Sequence, residues 1–130
     1  VIVVDTSALL AIVLNEPLAR ACLAVLESED DVALSAGTLA EALVVASMRG
    51  VSDLLTRLVE RLHLEVLPVT EERARRVSDA YATWGKGVHP AGLNFGDCFA
   101  YAAAKELACP LLYVGNDFPK TDIAPALAGA

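Results

Sequence analysis

The chain has 130 residues, 55% of them hydrophobic, with 10 basic against 17 acidic side chains and a net charge of -7. That length suits one compact domain spanning residues 1–130 and is short for two. The acidic balance excludes a generic nucleic-acid binder, which needs basic surface to neutralise phosphates, but not an enzyme that meets phosphates through bound cations and local Arg or Lys.

Val1, Ile2, Val3 and Val4 form a continuous apolar run, as in a strand buried on both faces, and Asp5 closes it. Residues 7–14 read as a helix, and Glu16-Pro17 opens a second with Pro early in it. Leu18, Cys22, Val25 and Leu26 give that second helix an apolar stripe. After the polar break at Asp30-Asp31, residues 32–34 read as a strand. A helix over about 38–48 stops at Gly50, a helix over 53–62 follows, and residues 65–67 make the third strand. Thr70 is an N-cap with Glu71 and Glu72 in the first turn of a helix that continues to about Trp84. A breaker-rich loop over 85–94 leads to an alanine-rich helix over 95–107, a buried strand over 111–114 and a mostly irregular tail over 115–130.

Strands alternating with helices imply right-handed crossovers and an α/β fold with a mostly parallel sheet. Helix N-termini then share the strands' C-terminal edge, where such sheets bind ligands. Asp5 and Asp117 lie just past strand ends, and Glu41 and Asp97 fall near the starts of helices entering from that side. Clustered carboxylates resist joint ionisation, and Mg²⁺ or Mn²⁺ relieves that penalty through oxygen ligands. Such ions position a phosphodiester and activate water. Thr6 and Ser7 would orient Asp5 or a bound water, and Asn116 would do the same beside Asp117. Singly, three of the acids have plainer readings: Glu41 in a capping box with Thr38, Asp97 as a first-turn acid, Asp117 in an Asx-turn. Asp5 differs, because an acid directly after a buried strand is costly without a partner.

Three stretches carry a family resemblance. Val3-Val4-Asp5-Thr6-Ser7-Ala8-Leu9 resembles the opening of PIN-domain ribonucleases. Leu93-Asn94-Phe95-Gly96-Asp97-Cys98-Phe99-Ala100-Tyr101-Ala102 is similar to the third acidic motif of their VapC toxin branch. Gly115-Asn116-Asp117-Phe118, with Thr121-Asp122-Ile123, resembles that branch's closing motif. The resemblance implies a PIN-like three-layer sandwich, a central sheet of four to five strands flanked by helices. It implies Asp5, Glu41, Asp97 and Asp117 as a catalytic quartet, with Asp5, Asp97 and Asp117 holding Mg²⁺ or Mn²⁺ for RNA hydrolysis. It also implies a homodimer and a VapB-like antitoxin seated in a groove near the site, a partner that would account for the high apolar content.

The remaining features are read as structural. His63 and His89 lack Cys neighbours at ligand spacing, so zinc is not expected, and His89 is read as solvated. Gly85-Lys86-Gly87 lacks the strand and the Ser or Thr of a phosphate loop. Arg73, Arg75 and Arg76 read as a solvated helix face, Lys105 as outside the site, and Trp84 as packed. Cys22, Cys98 and Cys109 form no CxxC and read as reduced and buried in a cytoplasmic protein. No apolar run reaches a membrane span, and the run before Asp5 is too short for a signal peptide. A phosphoacceptor domain would need an acid after the third strand, where Pro68-Val69-Thr70 stands. A haloacid-dehalogenase-like phosphatase would need one at Ser7. The alternative that survives is a PIN-fold interaction module without activity.

Overall fold

Four parallel strands in the order β3-β2-β1-β4 form the centre of the molecule. The computed structural model describes residues 1–127; the last three residues of the expected irregular tail lie outside that description. In chain order the elements are β1 (Ile2–Val4), α1 (Thr6–Val13), α2 (Ala19–Ser28), β2 (Val32–Ser35), α3 (Ala36–Met48) and α4 (Ser52–Arg61). Then come β3 (Glu65–Leu67), α5 (Glu71–Trp84), α6 (Phe95–Glu106), β4 (Leu111–Leu112) and a single 3₁₀ turn, Phe118–Lys120.

Side-chain alternation along the central strands divides the core in two. Ile2 and Val4 of β1 join Val32 and Leu34 of β2 on the face packed by α1, α2, α3 and α4. Val3 and Ala33 face the other way, against Val77 and Ala80 of α5 and the alanines of α6. Both faces are covered, so the sheet is the middle of a three-layer α/β/α sandwich, as expected. The small residues Ala100, Ala103 and Ala104, all buried, let α6 lie close on the sheet. β1 is central and pairs on both sides, Val3 with Ala33 and with Leu111. Its C-terminal end, where Asp5 stands, is therefore fixed from both neighbours; Asp5 N–H itself donates to Leu112 O at 2.9 Å.

Several boundaries move for identifiable reasons. The second helix begins at Ala19, so Pro17 sits in the preceding turn and not in the helix, and Leu18 at the cap makes no side-chain bond. The third helix starts at Ala36 because Ser35, at the end of β2, caps it through Gly37 N–H. The Thr38–Glu41 capping box is thereby overturned: Thr38 is a buried residue inside the helix. β4 is only two residues long, and its outer edge is occupied by the tail, with Leu111 N–H donating to Ala124 O and Ala126 N–H to Leu111 O. Thr70 caps α5 as expected, and α5 ends at Trp84.

Candidate active site

Asp5 is 2% exposed and is the residue on which the site is built. It leaves β1 in extended conformation and caps α1: its Oδ2 accepts from Ser7 N–H at 3.1 Å and from Ser7 Oγ at 2.7 Å. Ser7 Oγ in turn accepts from Val114 N–H at 3.0 Å, which ties the start of α1 to the chain leaving β4. The other carboxylate oxygen, Oδ1, is buried without a hydrogen-bond partner. Burial pushes the Asp5 carboxyl up to about 7; the Ser7 bonds oppose that rise, and the charges of Asp97 and Glu41 add to it.

Glu41 reaches the same place from α3. Thr6 Oγ1 lies 2.7 Å from Glu41 Oε1 and 3.2 Å from Thr38 O, and its single proton goes to the nearer, charged acceptor. Across from Glu41 stands Gly96 in the first turn of α6; a Cβ there would meet the Glu41 carboxylate and push it aside, so glycine is what lets that carboxylate lie against α6. One turn before Glu41, Thr38 Oγ1 is a second buried oxygen without a partner.

Asp97 belongs to a capping box at the head of α6. Its N–H donates to Asn94 Oδ1 at 2.8 Å, and its Oδ2 accepts from Asn94 N–H at 3.0 Å. The first-turn reading of Asp97 thus holds. Its carboxyl is raised chiefly by burial, with the Asn94 bond opposing and the charges of Asp117 and Glu41 reinforcing. Asp117 and Asn116 are exposed, and the Asp117 side chain caps nothing at the head of the 3₁₀ turn.

At the C-terminal edge of the sheet, Asp97 and Glu41 thus act on the Asp5 carboxyl, and Asp117 and Glu41 act on that of Asp97. Among the described residues, however, no three His, Cys, Asp or Glu side chains converge as a ready-made metal cage. Three of the four spend an oxygen elsewhere: Asp5 Oδ2 on Ser7, Glu41 Oε1 on Thr6 and Asp97 Oδ2 on Asn94. The donor set is nonetheless all oxygen, and the buried, unpartnered Asp5 Oδ1 fits a hard cation such as Mg²⁺ or Mn²⁺.

The PIN domain family matches residues 2–124. Ribonuclease VapC28 of Mycobacterium tuberculosis is 45% identical over 129 residues, covering 96% of this chain and 97% of its own. The chain belongs to the VapC branch of the PIN-domain family. Ribonuclease VapC36 of the same organism is 42% identical over 125 residues, with 93% of this chain and 90% of the relative covered. The fold is shared with M. tuberculosis VapC20, described as a Sarcin-Ricin loop cleaving toxin. That match has a TM-score of 0.77 at 17% identity, over 95% of this chain and 97% of the other. A chain of a toxin-antitoxin complex from Klebsiella pneumoniae matches with a TM-score of 0.69 at 19% identity, over 94% and 93%.

Around the acids, this PIN domain pairs much of its positive charge. Arg73 binds Glu106 through Nε and Nη2, Arg75 and Arg76 pair with Glu71 and Glu72 one turn back, and Lys105 reaches Asp122 at 3.0 Å. Arg73 is thus a half-buried link between α5 and α6, not part of a solvated face. His89 is half-buried too: its ring meets Trp84 edge-on at 4.6 Å and its Nδ1 accepts from Ala91 N–H. Cys22 and Cys98 are buried and Cys109 is half-buried, all as free thiols. Asn94 and Gly96 were not singled out from the sequence, although Asn94-x-x-Asp97 has capping-box spacing with the less usual residue pair.

Proposed function

We propose that this chain is a metal-dependent endoribonuclease, a VapC-like toxin that hydrolyses RNA phosphodiester bonds and is restrained by a VapB-like antitoxin. The observation that carries the reading is Asp5: a buried carboxylate with one unpartnered oxygen, surrounded by the charges of other acids, is unfavourable by itself and favourable with a cation. Asp5, Asp97 and Asp117 would hold Mg²⁺ or Mn²⁺. Such a cation, when bound, lowers the pKa of water and neutralises charge on the phosphodiester. The protein's own part is orientation. Ser7 fixes Asp5 Oδ2, so that only Oδ1 is free to bind, and Asn94 fixes the Asp97 backbone at the head of α6. Thr6 holds Glu41 Oε1, which leaves Oε2 to take the proton of the attacking water.

Thr6→Val keeps the shape and removes that hydroxyl. It is expected to lower cleavage about ten- to a hundredfold, the usual range for a residue that orients a ligand or base, with the fold intact by circular dichroism. Cleavage at the parent rate would show that the Thr6 bond does not orient Glu41 for the chemistry.

The partner reading is supported by an apolar groove of about 370 Å³ beside Glu41, lined among others by Gly37, Val44, Phe95 and Phe99. Val44 and Phe95 are 59% and 68% exposed, a degree of apolar exposure typical of an interface. Exposed Met48 on the same helix is consistent with self-association as a homodimer. No helix among the described residues is long and apolar enough to cross a membrane.

The deciding experiment incubates purified protein, freed of any copurifying partner, with total RNA and Mg²⁺ or Mn²⁺, beside an EDTA control. Discrete fragments that vanish with EDTA support the nuclease. Folded protein that cleaves nothing with either metal would instead be a PIN-fold interaction module.

A further inference from the structure

Asp117 poses a mechanical problem. It is exposed and its side chain caps nothing, yet the next residue, Phe118, is buried in the core cluster that Cys98, Ala100 and Tyr101 of α6 line, and the Asp117 charge helps to raise the Asp97 carboxyl. Something must hold its segment against α6. The contacts that do so lie five residues downstream. Tyr101 OH donates to Asp122 Oδ1, and Lys105 Nζ donates to Asp122 Oδ2 at 3.0 Å. Trp84 Nε1 donates to Tyr101 OH at 2.8 Å, so the phenol is used as acceptor and donor at once. Between the two acids, Thr121 Oγ1 donates to Phe118 O at 2.7 Å and accepts from Ile123 N–H. Phe118 is buried and its ring lies 5.1 Å from that of Tyr113. The stretch from Asp117 to Asp122 is thus a short loop pinned at its middle and its end.

The other half of the contact is on α6, where Asp97, Tyr101 and Lys105 follow one another at intervals of four residues. Such residues stack on one helix face. The face that presents one acid therefore also grips the segment that presents the other. A phenylalanine would pack at position 101 equally well. A buried hydroxyl is retained at a cost unless its bonds are used, and here both are.

We propose that Tyr101, Lys105 and Asp122 form a clasp that positions Asp117 against Asp97 for cation binding, with Tyr101 and Asp122 as positioning residues. The proposal deepens, and rests on, the reading of the site as a metal-dependent nuclease. Its test uses the full chain and Mn²⁺ alone, titrated by calorimetry, for the parent, Tyr101→Phe, Asp122→Ala and the double variant, with thermal melting and RNA cleavage measured alongside. Each single variant is expected to bind Mn²⁺ roughly tenfold more weakly, the scale of one lost hydrogen bond to a charged group. The double variant should be little worse than either single, because the two residues act as one unit. Cleavage at low Mn²⁺ should fall in step and return at high Mn²⁺, a rescue that mere loss of fold would not show. A folded variant that binds Mn²⁺ as tightly as the parent overturns the clasp. If Tyr101→Phe does not fold, Asp122→Ala carries the test, since Asp122 is half exposed. Weakened Mn²⁺ binding in variants of a protein that cleaves no RNA would support the clasp while removing the nuclease.

Discussion

Asp5→Asn is expected to abolish RNA cleavage and, in the absence of divalent cations, to leave the protein more stable than the parent at neutral pH. Asparagine caps a helix as well as aspartate does, so the bond from Ser7 N–H survives the change. What disappears is a buried charge. The Asp5 carboxyl titrates near 7 in the folded protein against 3.8 for an ordinary aspartate. Between those values the folded state holds a proton that the unfolded state has released. Stability is therefore fully present below about pH 4 and declines as pH rises through 7, by a total on the order of 4 kcal/mol. The buried Asn amide leaves a polar group unpartnered at a cost of about 1–3 kcal/mol, but that cost does not vary with pH. Melting of parent and variant in EDTA from pH 4 to 8 should thus show a difference that moves in the variant's favour as pH rises and levels off above 7. A difference independent of pH would mean that Asp5 is not the titrating group. Added Mg²⁺ should then stabilise the parent and leave the variant unchanged, because only the parent gains binding energy.

The distinction between what the sequence revealed and what it hid follows the separation of bonded partners along the chain. Asp5 was legible because a charge after a four-residue apolar run has no cheap environment. Thr70 was legible because its cap lies three residues away, and α5 and α6 because their periodicity and breakers are local. Glu41 was assigned a local partner, Thr38, when its actual partner is Thr6, 35 residues earlier and brought near only by the β1–α1 and β2–α3 turns meeting at one sheet edge. Ser7 and Val114 are 107 residues apart, Tyr101 and Asp122 are 21, and Arg73 and Glu106 are 33. Periodicity carries no signal for such pairs. Ser35 was missed as a cap for another reason: it is also the last residue of β2, and a buried strand-end serine has no pattern that marks it as a helix start.

Asp97 offers the sharpest separation of structure from chemistry, because two substitutions divide its roles. Asp97→Asn retains a side-chain oxygen able to accept from Asn94 N–H, so the capping box at the head of α6 persists. It removes the negative charge that repels Asp117, Glu41 and Asp5 and that a cation would require. The expected outcome is cleavage reduced by at least about a hundredfold, from loss of electrostatic stabilisation, with metal-free stability held or raised. Asp97→Ala loses the same charge and also the bond from Asn94 N–H, while the Asn94 cap on its own backbone N–H remains. It should be as inactive, yet less stable than Asp97→Asn by about 0.5–1 kcal/mol, the worth of a first-turn capping interaction. Cleavage assays in Mn²⁺ and denaturant melts in EDTA on the same three proteins decide the matter. Equal inactivity with unequal stability assigns the charge to catalysis and the hydrogen bond to the fold. Should Asp97→Asn cleave at the parent rate, the helix cap would be the whole of its function, and the acidic edge would lose the residue that links Asp117 to Asp5.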